Sequence, residues 1–297
     1  MRLLLAFFIA IAALAAPLAA QDRSHIGTGR LFTNDKLGDG DDRWRTGSYV
    51  FSHLRGTDRY TGQDLALGDV LEYRLRSEIL APVRGANDRP YVGLIALGLH
   101  SQMAQGPLRA SVGADVSFIG PQTGVADFQE AFHDAFSLPR VPSSNQIGND
   151  TILGALGEAS YVLRVTDRVT ARPFVEAQIG TEDLRRVGGD IVIGAVSQDD
   201  ILLRDVVTGQ LYAGTNTGAT GASLIVGADI AQVASSAYLP ASDGYVVSQT
   251  RSRARAGVNW VPYDGLSLFY GATYLSEEFE GQPEGQVVGS LRAVFAF

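Results

Sequence analysis

The sequence predicts an all-β protein: a transmembrane antiparallel β-barrel of about twelve strands, closed by a strand ending in Phe297. Three observations predict it. The chain opens on an export signal, its later hydrophobic residues alternate with charged ones, and it contains no cysteine.

The signal occupies residues 1–20. Arg2 supplies the positive charge, Leu3 to Leu14 is an apolar run, and Ala15-Ala16-Pro17-Leu18-Ala19-Ala20 offers small residues for cleavage before Gln21. That run is short for a membrane helix, and nothing after it is long and apolar enough to be one. Residues 21–297 then form one barrel domain without internal repeats. An exported chain of this size without disulfides must hold together by backbone pairing and apolar burial. With 34 Gly against 11 Pro, the composition suits strands and tight turns. The net charge of −8 gives no electrostatic support to a nucleic-acid partner.

Alternation carries the strand assignments. Leu71, Tyr73, Leu75 and Ile79 alternate with Glu72, Arg74, Arg76 and Glu78. Val112, Ala114, Val116 and Phe118 alternate with Ser111, Asp115 and Ser117, and Ala254, Ala256, Val258 and Trp260 with Arg253, Arg255 and Asn259. A soluble sandwich also alternates. A polar face carrying both Glu and Arg fits better in a narrow lumen lined by ion pairs.

The expected strands are 26–34, 45–54, 69–80, 90–102, 107–119, 151–164, 169–180, 187–197, 220–234, 245–261, 265–276 and 285–297. Several reach the roughly 9–11 residues that a tilted crossing needs. An even number puts both termini in the periplasm and loops 35–44, 81–89, 120–150, 181–186, 235–244 and 277–284 outside. Connections 55–68 and 198–219 are long for inward turns. Tyr49, Tyr91, Trp260, Tyr263 and Tyr274 are placed to form interfacial girdles.

Loop 120–150 is too patterned for a passive connection. Asp127 and Glu130 give a capping signal for a helix that Pro139 and Pro142 stop. Phe128, Phe132 and Phe136 form one helical stripe, and Gln129 and His133 lie four apart on the next. Either the phenylalanines are a greasy edge beside a working Gln and His, or they pack the helix on the rim and His133 is incidental. Two further clusters fall outside the same end: Asn34-Asp35 with Asp39, Asp41 and Asp42, and Asn87-Asp88-Arg89-Pro90-Tyr91. Such residues are turn formers, and the acids are also hard oxygen ligands of the kind calcium takes. His25, His53 and His100 lie near the inner strand ends, and no G-x-S-x-G accompanies them.

In these clusters the chain resembles the outer-membrane lipid A 3-O-deacylases of the LpxR type. The matching pieces are Asn34-Asp35, Asp42-Arg43-x-x-Thr46-Gly47, Asp88-Arg89-Pro90-Tyr91-x-Gly93 and Ile119-Gly120-Pro121-x-x-Gly124, with Gln129 and His133 downstream. The resemblance implies a twelve-stranded barrel with its site between the wall and an extracellular loop helix. It further implies calcium-dependent removal of the 3-linked acyloxyacyl group of lipid A, by chemistry similar to that of secreted phospholipases.

Carried over, His133 is the general base. Asn34 and Asp35 hold or orient calcium, Thr46 completes the polar wall near the oxyanion, and Gln129 lies one turn from the base. The chain departs from the pattern in one place: some members carry a catalytic lysine in the loop after the third strand, and loop 81–89 has none. Arg84 and Arg89 are left to present positive charge to the substrate, with Phe132 beside it. The implied partners are lipopolysaccharide and the outer membrane, and no protein partner is indicated. A catalytically silent barrel is the alternative reading, and a pore ranks below it.

Overall fold

The computed structural model describes residues 22–58, 64–83, 88–139, 142–196, 200–216 and 218–295. The expected signal, Arg84 and Phe297 lie outside them. The strands are β1 (Arg23–Asn34), β2 (Trp44–Thr57), β3 (Leu65–Ala81), β4 (Val92–Gln105), β5 (Leu108–Ile119), β6 (Asp150–Tyr161), β7 (Leu163–Thr166), β8 (Val169–Ile179), β9 (Glu182–Gly194), β10 (Leu202–Arg204), β11 (Leu211–Ala213), β12 (Gly221–Ser236), β13 (Thr250–Tyr263), β14 (Leu266–Leu275) and β15 (Gln286–Phe295). Among the described residues one α-helix, α1 (Val125–Ala135), follows β5.

All neighbours in the wall pair antiparallel. β1 pairs with β15 and β6 with β8, which closes the ring. β6 and β7 are two parts of one stave, so twelve staves surround the lumen. Each overlaps one of the twelve expected strands, with the largest shifts at β9, which starts five residues before the expected 187, and at β13, which starts five residues after the expected 245. A closed ring leaves no unpaired edge, which a strand exposed to lipid requires.

Alternation sorts the side chains as expected. In β3, Glu72, Arg74, Arg76 and Glu78 are buried in the lumen while Tyr73 and Leu75 are exposed on the outer surface. The lumen charges pair. Asp229 accepts from Arg186, Arg253 and Arg255, and Glu72 is clasped by Arg74 at 2.7 and 3.0 Å. Removing one partner of such a pair costs about 3–5 kcal/mol, because the other charge stays buried.

Segment 198–219 differs from the expected turn. Its described part folds back into the barrel as the hairpin β10–β11, joined by a turn in which Thr208 N–H and its hydroxyl donate to Asp205. Leu203, Leu211 and Tyr212 pack on the inward Leu31, Val50, Leu54 and Phe269. The Gln210 amide donates to Thr273 Oγ1 and Ala272 O, each at 3.1 Å. Gly271 leaves room for it, since a Cβ there would lie 2.7 Å from Gln210 Nε2. At the opposite end Tyr238 packs on Leu80, Val92 and Leu94, and Trp44 on Leu239 and Phe279. The lumen is thus filled at the end with the termini and covered at the other.

Of the expected girdle aromatics, Tyr49, Trp260, Tyr263 and Tyr274 are exposed on the outer surface. Tyr91 is fully buried and belongs to the site instead.

Candidate active site on the outer wall

The strand register sets out the floor of the site. Asn34 pairs with Gly47, Gly47 with Ile79, and Ile79 with Gly93, one position on each of β1 to β4. Flanking Thr33, Ser48 and Glu78 are buried inward, so this row belongs to the outer face. Three strand spacings make it about 14 Å across. Both middle strands contribute little bulk there: Gly47 has no side chain, and Ile79 packs flat under Tyr91 and Ala126.

At one end of the row, Asn34 caps the short turn Asp35–Leu37. Its side chain accepts from Lys36 N–H at 2.9 Å and donates to Thr46 O at 2.7 Å. Asp35 is fully buried. Its carboxylate accepts from Lys36 N–H at 2.8 Å, Arg43 N–H at 3.0 Å and the Thr46 hydroxyl at 2.7 Å. The same hydroxyl lies 2.9 Å from Asp42 Oδ1, and its one proton can serve only one carboxylate at a time.

Among the described residues no basic side chain pairs with Asp35. Burial therefore pushes its carboxyl up to about 7, against the lowering effect of Thr46 and the backbone N–H groups. Thr46 reaches this position through a β-bulge between Arg45 and Gly47, next to Trp44 at φ +50. Such a left-handed tryptophan is strained, and Asp88 holds it by accepting from the indole N–H at 2.7 Å.

At the other end, α1 sits on Gly93, where a Cβ would come 2.7 Å from Val125 Cβ. Its buried residues are Val125, Ala126, Gln129 and His133. Tyr91 donates its phenol proton to Gln129 Oε1 at 2.8 Å, and burial raises the phenol further above its usual range, so it stays a donor. His133 Nδ1 lies 2.7 Å from Pro139 O. A carbonyl only accepts, so Nδ1 carries the proton and Nε2 keeps a lone pair.

The site thus has two groups: Asn34, Asp35, Asp42 and Thr46 at one end, and Tyr91, Gln129 and His133 at the other. Among the described residues no hydrogen bond joins them across the row.

Several expectations change. The phenylalanine stripe neither packs α1 on the rim nor lines the floor: Phe128, Phe132 and Phe136 are 69%, 46% and 65% exposed. The expected cap is also displaced, since Gly124 precedes the helix and Asp127 lies in its first turn. Arg89 turns inward, fully buried, and donates to Glu278 at 2.7 Å. It cannot present charge to anything on the outer wall. Of the acids the sequence offered as calcium ligands, Asp42 joins Asp35 through Thr46, while Tyr91, expected in the aromatic girdle, holds Gln129 instead.

The donor set fits a hard cation. Asp35 is a buried carboxylate without a basic partner, Asp42 lies across one hydroxyl from it, and every atom on offer is oxygen. Among the described residues no three His, Cys, Asp or Glu converge, so such an ion would need neutral oxygens to complete its shell.

A family model described as "Outer membrane protein LpxR" matches residues 3–297. LpxR from Salmonella typhimurium superposes with a TM-score of 0.75 at 17% identity, covering 91% of this chain and all of that one. The NanC porin, at TM-score 0.43 and 7% identity, covers 92% of this chain and all of the porin. The beta domain of the Bordetella autotransporter BrkA, at 0.41 and 10%, covers 92% of this chain and 99% of the domain. Among curated proteins, none matches in sequence. The family model spans nearly the whole sequence, and the Salmonella structure shares the closed barrel: the chain belongs to the LpxR family of outer-membrane proteins.

Proposed function

We propose that this protein is a lipid A deacylase of the outer leaflet, hydrolysing the 3-linked acyloxyacyl ester with His133 as general base and calcium as cofactor. One observation carries the reading: His133 has its Nδ1 proton fixed on Pro139 O, which leaves Nε2 free on the buried face of a helix laid against the outer wall. A lumen site would be closed to a lipid, whereas a site on the wall opens sideways to the bilayer. The short turns at the end with the termini, such as Gln105 to Leu108, support a periplasmic position for that end and an extracellular one for the site.

His133 Nε2 takes a proton from a water as that water attacks the ester carbonyl carbon. The tetrahedral adduct then breaks its bond to the sugar 3-oxygen, which recovers the proton from His133, and the fatty acid leaves. Such proton transfer contributes about 10²–10⁴-fold. Gln129, held by Tyr91, fixes the helix face that carries the base. Asp35 and Asp42 would hold calcium, with the Asn34 amide shaping the turn that presents them. When bound, calcium polarises the ester carbonyl and stabilises the oxyanion. Exposed Phe128, Phe132 and Phe136 lie along acyl chains.

The silent-barrel reading has one observation in its favour: Arg89 is spent on Glu278, so among the described residues loop 82–89 offers the site no cation. Mass spectrometry of lipid A from cells expressing the protein, with and without a calcium chelator, separates the two. The deacylase reading expects a mass loss equal to one acyloxyacyl group, suppressed by chelation. An unchanged spectrum with the barrel correctly inserted selects the silent reading.

A further inference from the structure

The filled end of the lumen contains a cavity of about 380 Å³ between the inner hairpin and the wall of β5, β6 and β8. It lies beside the β4–β5 turn, at the opposite end of the barrel from the site on the outer wall. This volume falls in the range of small-ligand sites. Its charge balance is uneven. Arg74, Arg109, Arg164, Arg172 and Arg204 line it, against Glu158, Glu176 and Asp200.

The carboxylates are already engaged. Glu158 accepts from Arg204 at 2.9 and 3.3 Å, Glu176 from Arg186 at 3.1 Å, and Asp200 from Thr215 at 3.3 Å. Arg204 is further held by Asp190 at 3.0 Å and stacks 3.6 Å over Phe174, and Arg74 belongs to Glu72. Two guanidinium groups differ. Among the described residues Arg109 donates only to the backbone carbonyls of Gly106 at 2.5 Å and Leu108 at 3.0 Å. Arg172 Nε is buried and has no hydrogen-bond partner among the described residues. Buried donors are almost always paired, so a cavity-lining guanidinium that keeps an orphan donor calls for an acceptor from outside the chain. Guanidinium forks match the paired oxygens of phosphate.

We propose that this cavity binds a phosphate-type oxyanion, free or at the end of a lipid headgroup, with Arg109 and Arg172 as its cationic ligands. The inference is independent of the deacylase reading.

The test uses the full mature chain in maltoside micelles, titrated with inorganic phosphate by calorimetry. Saturable one-to-one binding is expected. Arg172→Gln and Arg109→Gln should each weaken it by about tenfold or more, the loss of a charge-assisted hydrogen bond. Arg185→Gln, on the exposed surface, should leave it unchanged. A short-chain phosphatidic acid forms the second arm. If it competes with phosphate, the headgroup is the source; if it does not, the free ion is. Both outcomes support the site. Wild-type protein that takes up no phosphate overturns the proposal without recourse to any variant. So does binding that survives both cavity substitutions in barrels shown to be folded by heat-modifiable migration.

Discussion

The lumen mouth and the outer wall use the same acidic side chains in opposite ways. Glu278, in the loop between β14 and β15, is buried among Arg45, Arg89 and Arg251. Burial alone would raise its carboxyl, but the three arginines more than offset that and hold it well below the usual carboxylate range. Asp35 is also buried and, among the described residues, pairs with no basic side chain, so burial prevails and its carboxyl rises to about 7. Adjacent residues of β2 serve the two, Arg45 donating to Glu278 and Thr46 to Asp35. The difference teaches that in this barrel paired charge is architecture, whereas charge left without a counter-ion marks where an ion, a proton or a substrate is to be received.

That contrast predicts separable failures. The largest is His133→Ala, which should fold and insert normally yet lose acyl release by about a thousandfold, a full general-base contribution. Lipid A mass spectrometry measures it, and turnover retained in the variant would remove His133 from the mechanism. Next is Glu278→Gln, which leaves Arg45, Arg89 and Arg251 facing a neutral amide. It should cost about 3–5 kcal/mol of stability, read as a lowered unfolding midpoint in detergent. Acyl release per folded molecule should stay within a few-fold of wild type. If folded Glu278→Gln loses turnover altogether, the division between architecture and reception is wrong.

How much of this was legible in the sequence follows from what alternation can and cannot say. A period of two needs only local residues, so Glu72 to Ile79 and Arg251 to Trp260 revealed both strands and faces, and strand parity correctly grouped the loops of the site. The hairpin β10–β11 was illegible because its three-residue strands carry no period, and its hold on the wall depends on Gln210 meeting Thr273 far along the chain. Periodicity also gave the two stripes of α1 without saying which one is packed. In water the Phe128–Phe132–Phe136 stripe would be buried. Against a membrane an apolar face has a second acceptable environment, so packing falls to Gln129 and His133, tied down by Tyr91 and Pro139. Arg89 misled for the converse reason: its partner Glu278 lies 189 residues away, and no spacing rule links them.

The smallest predicted effect tests Asp35 directly. Its folded-state pKa of about 7 lies above the ordinary 3.8, so between those values the folded protein holds a proton that the unfolded chain releases. The associated stability is fully present below about pH 4 and is lost as pH rises through 7. From pH 5 to pH 8, with a chelator present, the loss is on the order of 2–3 kcal/mol. Asp35→Asn has no such proton to lose, so its thermal midpoint should fall less over this range. Calcium should restore the wild-type midpoint at pH 8 and leave the variant's unchanged, because a cation that binds only the folded state stabilises it by mass action and needs the ionised carboxylate to do so. If wild type and variant show the same pH slope, Asp35 is an ordinary turn residue. The acid at the outer wall would then belong with the architecture, and calcium would have to be held elsewhere.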